Sequence, residues 1–277
     1  RLQRLSHLPQ QVPDYPQVIL QEHLYGVDLD AEAAEIATVN LTMQAFADSR
    51  QKKLPKILDE NIKVGNSLIS GTEEDLKPYF GERWREKRPF NWAQEFPAVM
   101  QRGGFDVVIG NPPYVRIQNI DQTERQYYKA HFQSATGHFD TSVLFLERNV
   151  SYSKKTGVVG VITTGKFLKS TYGRGIKDYL YEQAHLSEVI DLSDLKVFGD
   201  ATTYPAIIIV EHSDAKTPII ILASSNTQTN DEPEQFAEKG RLPYETLLTN
   251  VWAVGEQITS TAPIEALGKV AGRIFVG

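Results

Sequence analysis

The stretch that decides the fold runs from residue 105 to residue 116 and reads Phe-Asp-Val-Val-Ile-Gly-Asn-Pro-Pro-Tyr-Val-Arg. Its apolar part, Val107 to Ile109, is β-branched and uncharged, which is typical of a strand buried on both faces of a parallel sheet. Two prolines follow, and each fixes its own φ and pushes the preceding residue toward extended backbone. We therefore expect residues 111–114 to form a stiff loop at the carboxyl end of a central strand, where open α/β sheets bind ligands. The alternative is a Pro-Pro turn that merely ends a strand.

The side chains of this loop suit an exocyclic amino group that must act as a nucleophile. The side-chain oxygen of Asn111 and the carbonyl of Pro112 can accept both N–H bonds of such a group, which favours the pyramidal geometry that frees its lone pair. Tyr114 can stack on the ring that carries the amine. We therefore take Asn111, Pro112, Pro113 and Tyr114 as the candidate catalytic residues.

The motif Asn-Pro-Pro-Tyr after a hydrophobic strand resembles the catalytic motif of amino-methyltransferases that use S-adenosylmethionine. Its longer context, FNWAQEFPAVMQRGGFDVVIGNPPYVRIQ, most closely resembles the large N6-adenine DNA methyltransferases of type IIG restriction-modification and BREX-like phage-defence systems. The resemblance covers roughly residues 24–212. It implies an α/β fold with a doubly wound, mostly parallel sheet of the Rossmann-like methyltransferase type. It also implies site-specific methyl transfer from S-adenosylmethionine to adenine N6 in DNA.

Two stretches upstream of the loop are candidates for holding the cofactor. A short strand is predicted to end at Asp28, and a carboxylate at a strand end can accept both hydroxyls of a ribose. By the resemblance, Asp28 is that acidic residue, Leu29 packs on the adenine, and Asn66 lies at the adenine edge. Asp28 or Asp30 could instead cap the helix that follows, and Asp30 is the better placed of the two. The Gly-Asn-Ser sequence around Asn66 is equally typical of a turn.

An enzyme that modifies a base amino group must extrude the base from the duplex and stack it elsewhere. By the resemblance, Phe198 in KVFGDATTYPAIIIVEH packs against the flipped base opposite Tyr114, whereas a core phenylalanine is the alternative. Between residues 148 and 177 there are seven basic residues and no acidic one. This segment supplies the DNA-backbone candidates Lys166, Lys169 and Arg174, although a solvated helix face explains the pattern equally well.

The composition, with 41% hydrophobic and 23% charged residues in 277, is that of an ordinary globular chain. A net charge of -6 argues against nucleic-acid binding by bulk charge. The absence of cysteines excludes thiolate metal sites, and the six histidines show no zinc spacing, so no metal is expected. No apolar stretch reaches membrane-span length and no signal-peptide pattern occurs, which favours a cytoplasmic protein without a membrane partner.

We expect a linker or helix remnant over residues 1–23, a partial catalytic domain over 24–225, and over 226–277 a linker that begins the connection to a target-recognition domain. Methyltransferases that bind S-adenosylmethionine usually carry a glycine-rich strand-to-helix turn, and none precedes Asp28 here. The chain is therefore expected to be the middle of a larger enzyme, lacking the first strand and that turn, and inactive alone.

The expected partners are double-stranded DNA and, where the system includes one, a nuclease domain or subunit. Two other functions stay open. Protein-glutamine N5 and RNA guanine N2 methyltransferases also carry Asn-Pro-Pro followed by an aromatic residue. The missing glycine-rich turn also permits a catalytically inert DNA-binding or assembly module.

Overall fold

A computed structural model describes residues 15–48, 56–192, 205–213, 215–224 and 236–249 of the 277-residue chain. The chain divides into two compact units, with the boundary between Asn91 and Trp92. Each unit is described by itself below.

The first unit contains one pair of strands and a set of helices. In chain order these elements are α1 (Tyr15–Val18), a π-helical turn (Ile19–His23), β1 (Gly26–Asp28), α2 (Ala31–Asp48), β2 (Ile62–Val64), α3 (Glu73–Phe80) and a 3-10 helix (Gly81–Lys87). Strands β1 and β2 are parallel, and Asp28 pairs with Val64 at their carboxyl ends. Leu20, Ala34 and Ile62 belong to the small hydrophobic core beside them. The predicted strand ending at Asp28 and the long helix after it are thus confirmed.

The second unit is built on a six-stranded sheet. Its strands are β3 (Phe105–Gly110), β4 (Ser153–Thr164), β5 (His185–Asp191), β6 (Pro205–Glu211), β7 (Ile219–Ser224) and β8 (Phe236–Leu242). Its helices are α4 (Trp92–Glu95), α5 (Pro97–Gln101), α6 (Gln122–His131), α7 (Thr141–Tyr152) and α8 (Arg174–Gln183). Short 3-10 helices lie at Ile117–Asn119, Gly165–Phe167, Thr171–Gly173 and Tyr244–Leu248.

The strand order in this sheet is β3-β4-β6-β5-β7-β8. Strands β3 and β4 are parallel, as are β5 and β7, whereas β6 is antiparallel to both β4 and β5 and β8 is antiparallel to β7. Four of the six strands, β3, β4, β5 and β7, therefore point the same way. The predicted α/β class with a mostly parallel sheet is confirmed.

The sheet continues after β6 in the chain with strands β7 and β8. Both strands pair within the same sheet, and β8 at Phe236–Leu242 falls in the stretch assigned to a linker. The sequence FAEKGRL does not predict a strand, because its apolar and polar residues do not alternate regularly and it contains Gly240.

The prediction that β3 is buried on both faces is wrong. Val107 is 37% exposed and Ile109 is 41% exposed. Among the described residues β3 pairs with β4 alone and stands at the end of the six-stranded order. A strand at the end of a sheet has one neighbour instead of two, so its side chains lose cover that a central strand would have. The apolar pattern correctly predicts a strand at this position, but it does not indicate where that strand lies in the sheet.

Two adjacent glycines lead into β3 and allow a stability prediction. Gly103 has φ +90° with open space where a Cβ would lie, whereas a Cβ on Gly104, at φ +113°, would collide with the Tyr152 carbonyl oxygen. Both positions disfavour a side chain by about 1–3 kcal/mol of backbone strain. Only Gly104 adds a collision with the end of α7.

We expect Gly104→Ala to lower the free energy of unfolding by at least about 2 kcal/mol more than Gly103→Ala does. That difference corresponds to roughly 4–8 °C in melting temperature for a domain of this size. Thermal unfolding of both variants, followed by circular dichroism, measures it. Equal melting temperatures would show that α7 does not press against the start of β3.

Candidate active site

The loop at residues 111–114 begins directly after β3, as predicted. Asn111 and Pro113 are exposed, Pro112 is buried and Tyr114 is half-buried. The Tyr114 hydroxyl lies 3.3 Å from the carbonyl oxygen of Ile162 in β4 and 3.4 Å from Asn111 Oδ1, and it can donate its single proton to either acceptor. The structure therefore brings the predicted amine acceptor and the predicted stacking ring side by side at the carboxyl end of two parallel strands.

The chain just before α7 holds this loop in place. The Ile117 N–H donates to the Phe139 carbonyl at 2.9 Å, and the Thr141 N–H donates to the Val115 carbonyl at 3.0 Å. The Thr141 hydroxyl accepts from the Val115 N–H at 3.1 Å and donates to the Pro113 carbonyl at 2.5 Å. Four hydrogen bonds thus tie the loop to the N-terminus of a well-buried helix. Because the Pro113 carbonyl is engaged in this way, Pro112 is the better candidate for the backbone acceptor.

Asp140 caps α7 from a buried position. Its Oδ1 accepts from the Ser142 N–H at 2.9 Å and from the Ser142 hydroxyl at 2.5 Å. Its Oδ2 accepts from the Tyr172 hydroxyl at 2.9 Å. Burial, reinforced by the charge of Asp140, raises the pKa of Tyr172. The cap is therefore a rigid polar cluster directly beside the loop.

A cavity of about 820 Å³ opens beside this cluster. Its volume lies in the range of small-molecule sites. Tyr114, Arg116, Asp140 and Tyr172 form part of its wall, and the wall also includes residues of β5, β6, β7 and β8. Burial, with a smaller contribution from the Asp140 charge, raises the pKa of Tyr114, so its ring faces the cavity as a neutral phenol.

The three predicted DNA-backbone residues fall in different surroundings. Lys166 and Lys169 line the cavity. Arg174 instead begins α8 and forms an ion pair with Asp178, with Nε 2.8 Å from a carboxylate oxygen. The basic segment is therefore not one uniform solvated face, since two of its lysines border the site while its arginine is paired on a helix.

The first unit contains the predicted cofactor residues Asp28 and Leu29. Both are exposed at the carboxyl end of β1, Leu29 by 51%. One oxygen of Asp28 accepts from the Asp30 N–H at 2.8 Å, and Asp30 in turn accepts from the Glu32 N–H at 2.9 Å. The prediction that Asp30 caps the helix is confirmed. The Leu29 carbonyl accepts from the guanidinium of Arg88 at 2.8 Å, which fixes the backbone at this strand end.

Asn66 lies just after β2 in a turn. Its Oδ1 accepts from the Leu68 N–H at 3.0 Å, while its own N–H donates to the Arg88 carbonyl at 2.7 Å. The turn chemistry considered from the sequence is therefore present at this position. Phe198, the predicted second stacking residue, lies outside the described residues.

The residues of the cavity wall that sequence reasoning did not single out include His138, Tyr172 and Asp191. Asp191 ends β5, and an acidic residue at the end of a buried strand is the same signal that singled out Asp28. Tyr172 lies within the basic segment but carries no local signal of its own, because its role depends on Asp140, 32 residues away.

In the part of the chain that the structure describes, no group of three or more His, Asp or Glu side chains is arranged to hold a metal ion. Among the helices of the same residues, none has both the length and the hydropathy that a membrane span requires.

The comparisons with known proteins agree with the motif. A model of the family described as Eco57I restriction-modification methylase matches residues 22–198. The chain is 24% identical to the type II restriction enzyme and methyltransferase RM.Eco57I of Escherichia coli, over 92% of this chain and 26% of that protein. It is 30% identical to the adenine-specific methyltransferase PglX of Streptomyces coelicolor, over 79% of this chain and 20% of that protein. The chain thus spans about a quarter or less of the length of these relatives.

Solved structures share the fold. A nuclease-deletion mutant of the type ISP restriction-modification enzyme LlaGI, in complex with a DNA substrate mimic, matches with a TM-score of 0.54 and 15% identity over 77% of this chain and 19% of that one. A DrdV–DNA complex matches with a TM-score of 0.52 and 17% identity over 79% of this chain and 24% of that one. The predicted methyltransferase fold is confirmed by these matches.

Proposed function

Because this chain belongs to the Eco57I restriction-modification methylase family, we propose that the full-length protein transfers a methyl group from S-adenosylmethionine to N6 of adenine at specific sites in DNA. The observation that carries the proposal is the position of the Asn-Pro-Pro-Tyr loop. The loop leaves the carboxyl end of β3 with Tyr114 on the wall of a cavity and Asn111 beside it. A restriction-modification or phage-defence role follows from the same proposal.

In the proposed reaction the loop prepares the amine. Asn111 Oδ1 and the Pro112 carbonyl accept the two N–H bonds of N6, which draws the nitrogen toward pyramidal geometry and makes its lone pair available. Tyr114 stacks on the base and replaces part of the stacking lost when the base leaves the duplex. Phe198 completes the base clamp from the other side in this proposal.

The residues at the end of β1 fit the adenosine part of S-adenosylmethionine. Asp28 is exposed, and one of its carboxylate oxygens accepts a hydrogen bond from the Asp30 N–H. The other oxygen therefore suits a ribose hydroxyl. Leu29 offers an exposed apolar surface for the adenine, and the Asn66 amide can both donate and accept at the adenine edge. When bound, the cofactor supplies the methyl group.

Double-stranded DNA is the proposed partner, with Lys166 and Lys169 contacting phosphates near the cavity. Lysines that neutralise phosphates add affinity without sequence information. Arg174 is a weaker DNA-backbone candidate because it already pairs with Asp178. Sequence specificity and any nuclease would then come from other parts of the system, and the enzyme would act on DNA in the cytoplasm.

The proposal is tested by offering the full-length protein three acceptors together with S-adenosylmethionine labelled on its methyl group. The acceptors are DNA that lacks adenine methylation, total RNA and purified translation release factors. Mass spectrometry of the digested acceptors should find the label on adenine N6 of DNA. Label confined to guanine N2 or to glutamine N5 would assign the chain to the other amine-modifying classes. No label in any acceptor would favour an inert DNA-binding or assembly module.

A further inference from the structure

One hydroxyl bridges the backbone on both sides of Tyr114. Thr141 Oγ1 donates to the Pro113 carbonyl at 2.5 Å and accepts from the Val115 N–H at 3.1 Å. The first group belongs to the peptide that precedes Tyr114, and the second belongs to the peptide that follows it. A single side chain therefore holds both peptide planes next to the residue that faces the cavity.

Fixing two flanking peptide planes fixes φ and ψ of the residue between them, and with them the direction of its Cα–Cβ bond. On the N-terminal side the chain has little other freedom, because the Pro113 ring already locks its own φ. The hydrogen bond to the Pro113 carbonyl removes the ψ freedom that remains there. The ring of Tyr114 is thus aimed by its backbone.

The far end of the ring is held less firmly than its backbone. The Tyr114 hydroxyl makes contacts of 3.3 Å and 3.4 Å, both longer than the usual O–H···O distance of about 2.7–2.8 Å. Thr141 itself is held firmly. Thr141 is buried at the first position of α7, directly after Asp140, whose carboxylate accepts three hydrogen bonds. The position of the ring is therefore set mainly from Thr141.

We propose that Thr141 is a positioning residue that aims Tyr114 at the flipped base, an inference that rests on the function proposed above. Thr141 does not contact the base in this proposal. It acts by holding the loop in the geometry that the transition state needs, and misplacing such a group by about 1 Å can cost on the order of 100-fold in rate.

Two variants separate the hydroxyl of Thr141 from the rest of its side chain. Thr141→Val has nearly the same shape and removes both bonds, whereas Thr141→Ser keeps the hydroxyl and loses only a methyl group. The matched control is Ser153→Ala at the other end of α7. It also removes a buried hydroxyl that donates to a carbonyl, that of Val150 at 2.9 Å, without touching the loop.

In full-length protein, Thr141→Val should lower kcat for DNA adenine methylation by about 10- to 100-fold. KM for DNA should stay within about 3-fold, since phosphate contacts dominate DNA affinity. The Thr141 hydroxyl affects the reaction only after the flipped base has reached Tyr114. Thr141→Ser and Ser153→Ala should both keep kcat within about 3-fold of wild type. Rescue by serine separates positioning from a general loss of stability, which thermal unfolding of all three variants records.

A kcat for Thr141→Val equal to that of Ser153→Ala, with wild type active, would overturn the inference and leave the proposed function standing. A wild-type protein that methylates no DNA would overturn both. Should Thr141→Val not fold, Thr141→Cys takes its place, because a thiol of similar size is only a weak hydrogen-bond donor. A cysteine variant as active as the serine variant would equally overturn the role.

Discussion

Asn111→Ala is expected to lower kcat for adenine methylation by at least about 100-fold in full-length protein, which is the usual cost of removing one preorganised polar group that stabilises a transition state. The structure makes the loss specific to chemistry. Asn111 is exposed, and the hydrogen-bond contact of its side-chain oxygen within the described part of the chain is the long one, 3.4 Å, to the Tyr114 hydroxyl. The free energy of unfolding should therefore change by no more than about 0.5 kcal/mol.

Calorimetry measures the binding of S-adenosylmethionine, and steady-state kinetics measures kcat. Binding of S-adenosylmethionine should stay within about 2-fold of wild type, because Asn111 acts on the acceptor in the proposed mechanism and not on the donor. Asn111→Asp keeps an acceptor oxygen and should lose less activity than alanine. Asn119→Ala is the matched control, since Asn119 is an exposed asparagine in the neighbouring 3-10 helix. Methylation that survives Asn111→Ala would refute the mechanism.

Much of this site could be predicted from the sequence because its signals are local. The position of the loop follows from an apolar run that ends at two prolines, and the backbone restrictions of proline act on neighbouring residues. The caps at Asp30 and Asp140 follow equally from residue type and position before a helix. Each of these features depends on a few adjacent residues, so the sequence alone was sufficient.

The features that could not be predicted depend on contacts between distant segments. Val107 and Ile109 look like core residues, and their exposure follows from the place of β3 in the sheet order. The strand β8 exists through its pairing with β7. The backbone on both sides of Tyr114 is held by Thr141, and the sequence around Thr141 indicates only that a helix starts there. Its hydrogen bonds to residues 113–115 form only because the fold brings Thr141 next to Val115, which lies 26 residues earlier in the chain.

The second large effect is expected at Tyr114. Tyr114→Ala should lower kcat/KM for DNA by about 5- to 150-fold, which corresponds to the roughly 1–3 kcal/mol of one base–aromatic stack. The stack forms only with the extruded base, so the loss should be larger for a normally paired target than for a target opposite a mismatch, where extrusion is easier. Steady-state kinetics on the two DNA substrates measures this difference. Tyr181→Ala is the control, because Tyr181 is also half-buried in the second unit and stacks on Tyr244 away from the loop.

Tyr114→Phe separates the ring from its hydroxyl. Phenylalanine keeps the stacking surface and loses the contacts to Ile162 and Asn111, which at 3.3 Å and 3.4 Å are long for hydroxyl hydrogen bonds. Its activity should therefore stay within about 3-fold of wild type. A phenylalanine variant as impaired as the alanine variant would contradict base stacking as the role of Tyr114. In that case the hydroxyl would be the important part of Tyr114, because it orients Asn111 Oδ1 toward the amine. The hydrogen bonds from Thr141 would then serve to position that hydroxyl.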